Sequence, residues 1–168
     1  IRSYFYDDKG QQNKVVNENG DAVEMTYDAR GNLASRKTCR TATECHTTYY
    51  TYPAAPTNLY DARNDLATET RDGRSTSGTD ANYVTRYEYH FSGQLSKQTN
   101  PDTSVVSHFY TNGAEVAVGG GNVPTSLLAR TVDANGKETR FAYYQNGDLA
   151  RMTEPTGLVT EYQYDALG

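Results

Sequence analysis

The sequence predicts an all-β chain of antiparallel β-hairpin repeats, joined into a curved or open sheet. Three observations carry that reading. A short word, Tyr-x-x-x-Gly with Leu two residues further on, recurs along the chain. Its clearest copies stand at a step of 21 residues. Around each copy, aromatic and apolar residues alternate with a period of two, which places them on one face of a strand. No 3.6-residue stripe is sustained, and Gly, Asn or Pro interrupts the chain about every ten residues, which disfavours helix.

The elements follow in order. Tyr6, Tyr27, Tyr89, Tyr143 and Tyr164 act as anchors, with Gly10, Gly31, Gly93, Gly147 and Gly168 four residues later. At Tyr60 that place is held by Asn64, the next best residue for a left-handed backbone. Leu33, Leu66, Leu95 and Leu149 lie six residues after their anchors, and Tyr4, Met25, Tyr87, Phe141 and Tyr162 lie two before. The intervals Tyr6 to Tyr27, Tyr89 to Tyr110 and Tyr143 to Tyr164 are each 21 residues. A second turn falls 14 residues after the anchor, at Gly20, Thr103 and Gly157, in the words NENG, NPDT and EPTG. Each unit therefore reads as strand, turn, strand, turn.

Longer intervals mark insertions near 39–52, 71–82 and 114–128. The first carries both cysteines and the run Tyr49-Tyr50-Thr51-Tyr52, expected as an extra strand. The third carries Gly119-Gly120-Gly121, and just before it Gly113 comes early, so either the turn after Tyr110 is one residue shorter or the anchor is Phe109. We read residues 1–168 as one segment of about six or seven units.

Composition fits a thin wall better than a dry core. Leu, Ile, Val and Phe together number 25 of 168 residues, whereas Tyr alone numbers 15. Tyr supplies a large apolar body with a polar tip that needs a partner or water. The net charge of -5 gives no reason to expect a nucleic-acid partner. No apolar run approaches the roughly 18 residues of a membrane span, and no basic-then-apolar leader opens at Ile1. Both ends fall inside a repeat, so a fragment with open sheet edges is expected, and such edges pair with other chains.

The pattern Tyr-x-Tyr-Asp-x-x-Gly-x-Leu resembles the YD/RHS repeat family. Its clearest copies are EMTYDARGNL (Glu24 to Leu33), TRYEYHFSGQL (Thr85 to Leu95), TRFAYYQNGDL (Thr139 to Leu149) and TEYQYDALG (Thr160 to Gly168). The resemblance implies a β-ribbon that spirals into a hollow shell. In bacterial members the shell encloses a carboxy-terminal toxin domain; in the animal teneurins a similar barrel belongs to an adhesion receptor, and some bacterial wall-associated members have been proposed to bind carbohydrate. The family's aspartate-bearing self-cleaving segment has no match here, so no catalytic residue is carried over.

Chemistry-bearing residues receive bland readings. Cys39 and Cys45, in CRTATEC, are candidates for a disulfide stapling a hairpin, with reduced thiols or half of a metal site as alternatives. The Asp after the anchor (Asp7, Asp28, Asp61, Asp165) suits a turn whose backbone N–H groups it accepts. His46, His90 and His108 form no recognisable triad, and the glycine run lacks a phosphate-loop pattern. Hence no catalytic, cofactor or metal residue is assigned, and the chain is not expected to be an enzyme. The expected role is a scaffold in a secreted or cell-surface protein, partnered by the rest of a parent shell and its enclosed cargo. A surface module that binds glycan or protein through exposed Tyr rings is the alternative.

Overall fold

The computed structural model describes residues 1–41, 43–54 and 58–165. Among them are thirteen strands and no helix. They are β1 (Ser3–Tyr6), β2 (Gln12–Val16), β3 (Ala22–Tyr27), β4 (Leu33–Cys39), β5 (Cys45–Thr51), β6 (Glu69–Arg71) and β7 (Val84–Tyr89). The remainder are β8 (Leu95–Thr99), β9 (Val105–Tyr110), β10 (Leu128–Val132), β11 (Glu138–Tyr143), β12 (Leu149–Thr153) and β13 (Val159–Glu161). Within each unit described below, sheet order follows chain order and neighbouring strands run antiparallel, β1 to β7 in one and β8 to β13 in the other. The chain divides into two compact units, Ile1–Gln94 with Asn100–Asp102, and Leu95–Thr99 with Thr103–Gly168. The first holds β1–β7 and the second β8–β13.

One turn geometry builds most of the hairpins. In residues 7–11 the Asp7 N–H donates to the Gln11 carbonyl and the Gly10 N–H to the Asp7 carbonyl. The same pair of bonds recurs at 17–21, 28–32, 90–94, 133–137, 144–148 and 154–158. The fourth residue of each is a glycine at positive φ, for example 80° at Gly10 and 94° at Gly147, a backbone region closed to most side chains. Asp or Asn in first place tightens the turn. Asp28 Oδ1 accepts the N–H groups of Arg30 and Asn32, and Asp7, Asn17 and Asp133 do the same in their own turns. The turn after the anchor and the turn 14 residues on thus share one design. Thr103, at φ 68°, stands where the others place glycine.

A register shift accompanies the anchors. Phe5 faces Lys14 but Tyr6 faces Gln12, Thr26 faces Ser35 but Tyr27 faces Leu33, and Ala142 faces Arg151 but Tyr143 faces Leu149. Each shift leaves one extra residue on the following strand: Asn13, Ala34 and Ala150. This is a β-bulge, which breaks the regular ladder locally.

Strand residues are mostly half-buried, and full burial is confined to a few sites. Among the described residues the buried set is Val84, Ala117, Val123 and Ala150, with polar Arg71, Ser75 and Thr111. Most of these lie where insertions fold back. In the first unit, Arg71 donates to the Asp80 carbonyl at 2.8 Å, to Thr51 Oγ1 at 3.1 Å and to Glu69 at 2.8 Å, and so ties loop 72–83 to β5 and β6. In the second unit, the Thr111 hydroxyl donates to the Pro124 carbonyl at 2.6 Å and accepts the Leu127 N–H at 3.0 Å. That pair pins the insertion between β9 and β10. The glycine run itself closes as another turn of the repeat type, with Ala117 N–H to Gly121 O and Gly120 N–H to Ala117 O.

Candidate functional site

The recurring feature is a bond from an anchor phenol to a backbone carbonyl. Tyr27 donates to Gln12 O at 2.7 Å, Tyr110 to Leu95 O at 2.9 Å, Tyr143 to Leu128 O at 2.7 Å and Tyr164 to Leu149 O at 3.0 Å. In each pair the residues are 15 apart, and the acceptor is the first residue of the strand before. Gln12, Leu128 and Leu149 each lie beside a register shift, where the ladder is irregular and a half-buried carbonyl needs a donor. The Leu that recurs six residues after an anchor therefore offers its carbonyl to the next repeat's tyrosine.

Two further phenols make the same bond over longer intervals. Tyr89 donates to Ala67 O at 2.9 Å across the long loop between β6 and β7. Tyr52 donates to Leu33 O at 3.1 Å. The repeat word predicts this unit's anchor at Tyr60, with Leu66 six residues on. The structure corrects it: Tyr60 is 96% exposed, in a turn where Asp61 N–H donates to Asn58 O, and neither Tyr60 nor Leu66 lies on a strand. Tyr52 escapes the repeat word because Pro53 follows it where Asp is usual. The period-two pair Tyr50 and Tyr52 was the available signal. The run expected as an extra strand lies mostly in β5, which starts earlier, at Cys45.

The other anchors fall as follows. Tyr6 ends β1, 59% exposed, while Gly10, Gly31, Gly93 and Gly147 fill the left-handed turn positions. Leu33, Leu95 and Leu149 open β4, β8 and β12. Gly168 lies outside the described residues. Cys39 and Cys45 face each other across β4 and β5 and form a disulfide.

Burial pushes the hydroxyls of Tyr52, Tyr89, Tyr110 and Tyr143 above the usual tyrosine range. At Tyr52 the charge of Asp28 adds to this. The phenols therefore stay protonated and able to donate.

The opposite strand face carries cross-strand ion pairs. Glu24 sits between Lys14 at 3.0 Å and Lys37 at 3.3 Å, and both hold its carboxyl below the usual range. Glu69 joins Arg71 and Arg86, and Glu138 joins Arg130 and Arg140. Apart from Glu69–Arg71, whose guanidinium is buried, these part-exposed pairs add little stability. They favour one register, since a one-residue slip sends every side chain to the other face.

The histidines occupy separate places: His46 Nδ1 is 3.4 Å from Gly73 O, His108 Nδ1 is 3.2 Å from Thr131 Oγ1, and His90 opens a turn. Among the described residues no group of three His, Cys, Asp or Glu is placed to hold a metal. The second unit also has an open polar groove between the glycine run and the 144–148 turn. Tyr144 and Tyr164 meet there edge to face at 6.4 Å, beside Gln145, Asn146 and Asp148.

Residues 143–168 match the family model RHS Repeat. The fold is similar to part of the crystal structure of TcdB2-TccC3-TEV, with 16% identity and a TM-score of 0.59. That likeness covers 99% of this chain and 9% of the other. Residues 143–168 thus carry one RHS repeat, and the chain as a whole shares its fold with part of that structure. A second structure, TcdB2-TccC3-Cdc42, matches at 11% identity over 98% of this chain and 16% of that chain, but at a TM-score of 0.22 it supports no structural argument. The search of curated proteins found no match to this chain. Among the described residues no helix is long and apolar enough to cross a membrane.

Proposed function

We propose that this chain is a stretch of wall in a β-shell that encloses a carboxy-terminal toxin or effector domain of a secreted bacterial protein. The phenol–carbonyl ladder carries the reading. A sheet with so few buried side chains lacks a deep core, and a donor from each repeat to the one before supplies continuity along the chain. The fold likeness to a small share of a much longer chain, and a disulfide suited to an oxidising compartment, support it. The role is containment, with no catalytic step.

Limited proteolysis of the full-length parent tests this. The carboxy-terminal domain should resist protease in the intact parent and lose protection when Tyr110 and Tyr143 are both changed to Phe. Equal cleavage of that domain with and without an intact repeat region would count against enclosure. Turnover of any hydrolase substrate by the purified segment would overturn the non-catalytic reading.

The groove of Tyr144, Tyr164, Asn146 and Asp148 favours a second reading, a surface module for glycans. Aromatic faces beside planar amides and a carboxylate suit sugar rings. Glycan-array binding lost in Tyr144→Ala would support it, and an array without signal would dismiss it.

A further inference from the structure

The chain contains four Asn-Gly steps, Asn19-Gly20, Asn112-Gly113, Asn135-Gly136 and Asn146-Gly147, and all four asparagines are exposed. Such a step can react with itself, because glycine has no Cβ to shield its nitrogen. The Gly nitrogen attacks the Asn side-chain carbon, a C–N bond forms, and the side-chain nitrogen leaves as ammonia with the amide proton. Water then opens the five-membered imide at either carbonyl. The product is Asp, or an isoaspartyl residue whose main chain runs through the former side chain. Water is the sole co-reactant.

The attacking nitrogens are alike in being occupied. Gly20 N–H donates to Asn17 O at 3.0 Å, Gly136 N–H to Asp133 O at 2.9 Å and Gly147 N–H to Tyr144 O at 3.0 Å. Gly113 N–H donates to the Glu115 carboxylate at 3.1 Å. The attacked amides differ. Asn146 accepts the Asp148 N–H at 3.1 Å and donates to the Asp148 carboxylate. Asn112 accepts the Ala114 N–H at 2.9 Å. These bonds fix the amide away from the following nitrogen and must break before attack. Among the described residues, no hydrogen bond engages the side chain of Asn19 or of Asn135; only their backbone N–H groups are held, by Asn17 and Asp133.

We infer that Asn19 and Asn135 are the sites where this chain deamidates and forms isoaspartate on its own, and that folding protects Asn112 and Asn146. The two reactive positions occupy the turns joining β2 to β3 and β10 to β11. An isoaspartyl residue there lengthens the main chain by one carbon and adds a charge next to a left-handed glycine, which loosens the register of that hairpin.

The test uses the unaltered chain aged in mildly alkaline buffer, folded or in guanidinium chloride. Peptide mass mapping with isoaspartyl-directed methyl labelling gives a rate at each site. Dividing each folded rate by the same site's unfolded rate removes the effect of neighbouring residues. Slowing on folding should be about fivefold greater at Asn112 and Asn146 than at Asn19 and Asn135, the factor set by one retained hydrogen bond. Equal slowing at all four sites, or the reverse order, would overturn the assignment. Asp148→Ala should speed Asn146 in the folded chain and not in guanidinium; no acceleration there would equally count against it.

Discussion

The hairpins from Leu128 to Glu161 and the stretch from Thr51 to Val84 hold their strands together by different means. In the hairpins, five-residue turns join the strands, and a phenol reaches back 15 residues to a carbonyl. Burial there is slight, with Ala150 the buried residue among those described. In the other stretch β6 has three residues, the flanking loops are long, and Arg71, Ser75 and Val84 are buried. The regular units need no deep core because each is fastened to the one before. Where the step lengthens, the fastening passes to a buried guanidinium that gathers the loop, the strand and a carboxylate.

The sharpest way to break this contrast is Arg71→Ala. Losing a buried, multiply bonded cation costs about 3 kcal/mol, at the low end for such groups because Glu69 is part-exposed and keeps Arg86. Hydrogen exchange should rise across 69–86 and stay unchanged across 138–153. Replacing Cys39 and Cys45 with Ser opens a short loop and should cost about 2 kcal/mol by chain-entropy reasoning, measured by chemical denaturation. Tyr143→Phe removes one phenol bond and should cost about 1 kcal/mol, whereas Tyr60→Ala should stay within about 0.5 kcal/mol of the parent. Equal effects at Tyr143 and Tyr60 would remove the distinction between anchor and loop tyrosine.

The same phenols give a pH dependence. Tyr52, Tyr89, Tyr110 and Tyr143 hold their protons to higher pH in the folded chain than the ordinary value of 10.0. Their contribution is whole below that value. As pH rises past it the unfolded chain releases protons first, so stability falls, and the contribution is lost beyond the raised folded values. Tm should be level through mild alkalinity and decline above pH 10, in step with the tyrosinate absorbance. The smallest effect expected is a gain. Thr103→Gly relieves a β-branched residue at φ 68° and should stabilise by about 0.5 kcal/mol, after the entropy glycine restores to the unfolded chain.

Much of this was legible in the sequence because the repeat is written in residues with strong backbone demands. Glycine four residues past a tyrosine announces a left-handed turn, and alternation announces a strand, so the all-β class and most hairpins could be read directly. The phenol acceptors could not, since every residue carries a carbonyl and sequence does not mark which one the ladder leaves in need. Tyr52 lacks the Asp and Gly that label other anchors, and Tyr60, which keeps a Tyr-Asp pair, is an exposed loop residue. The burial of Arg71 carries no sequence signal, because it depends on a loop whose path no local pattern specifies.

Within each unit every strand's hydrogen-bonded neighbours are those adjacent in the chain. Pulled from one end, such an arrangement peels away one hairpin at a time, each 21-residue unit paying out roughly 70 Å of thread. A pulling force would meet a series of small mechanical barriers in place of one large one.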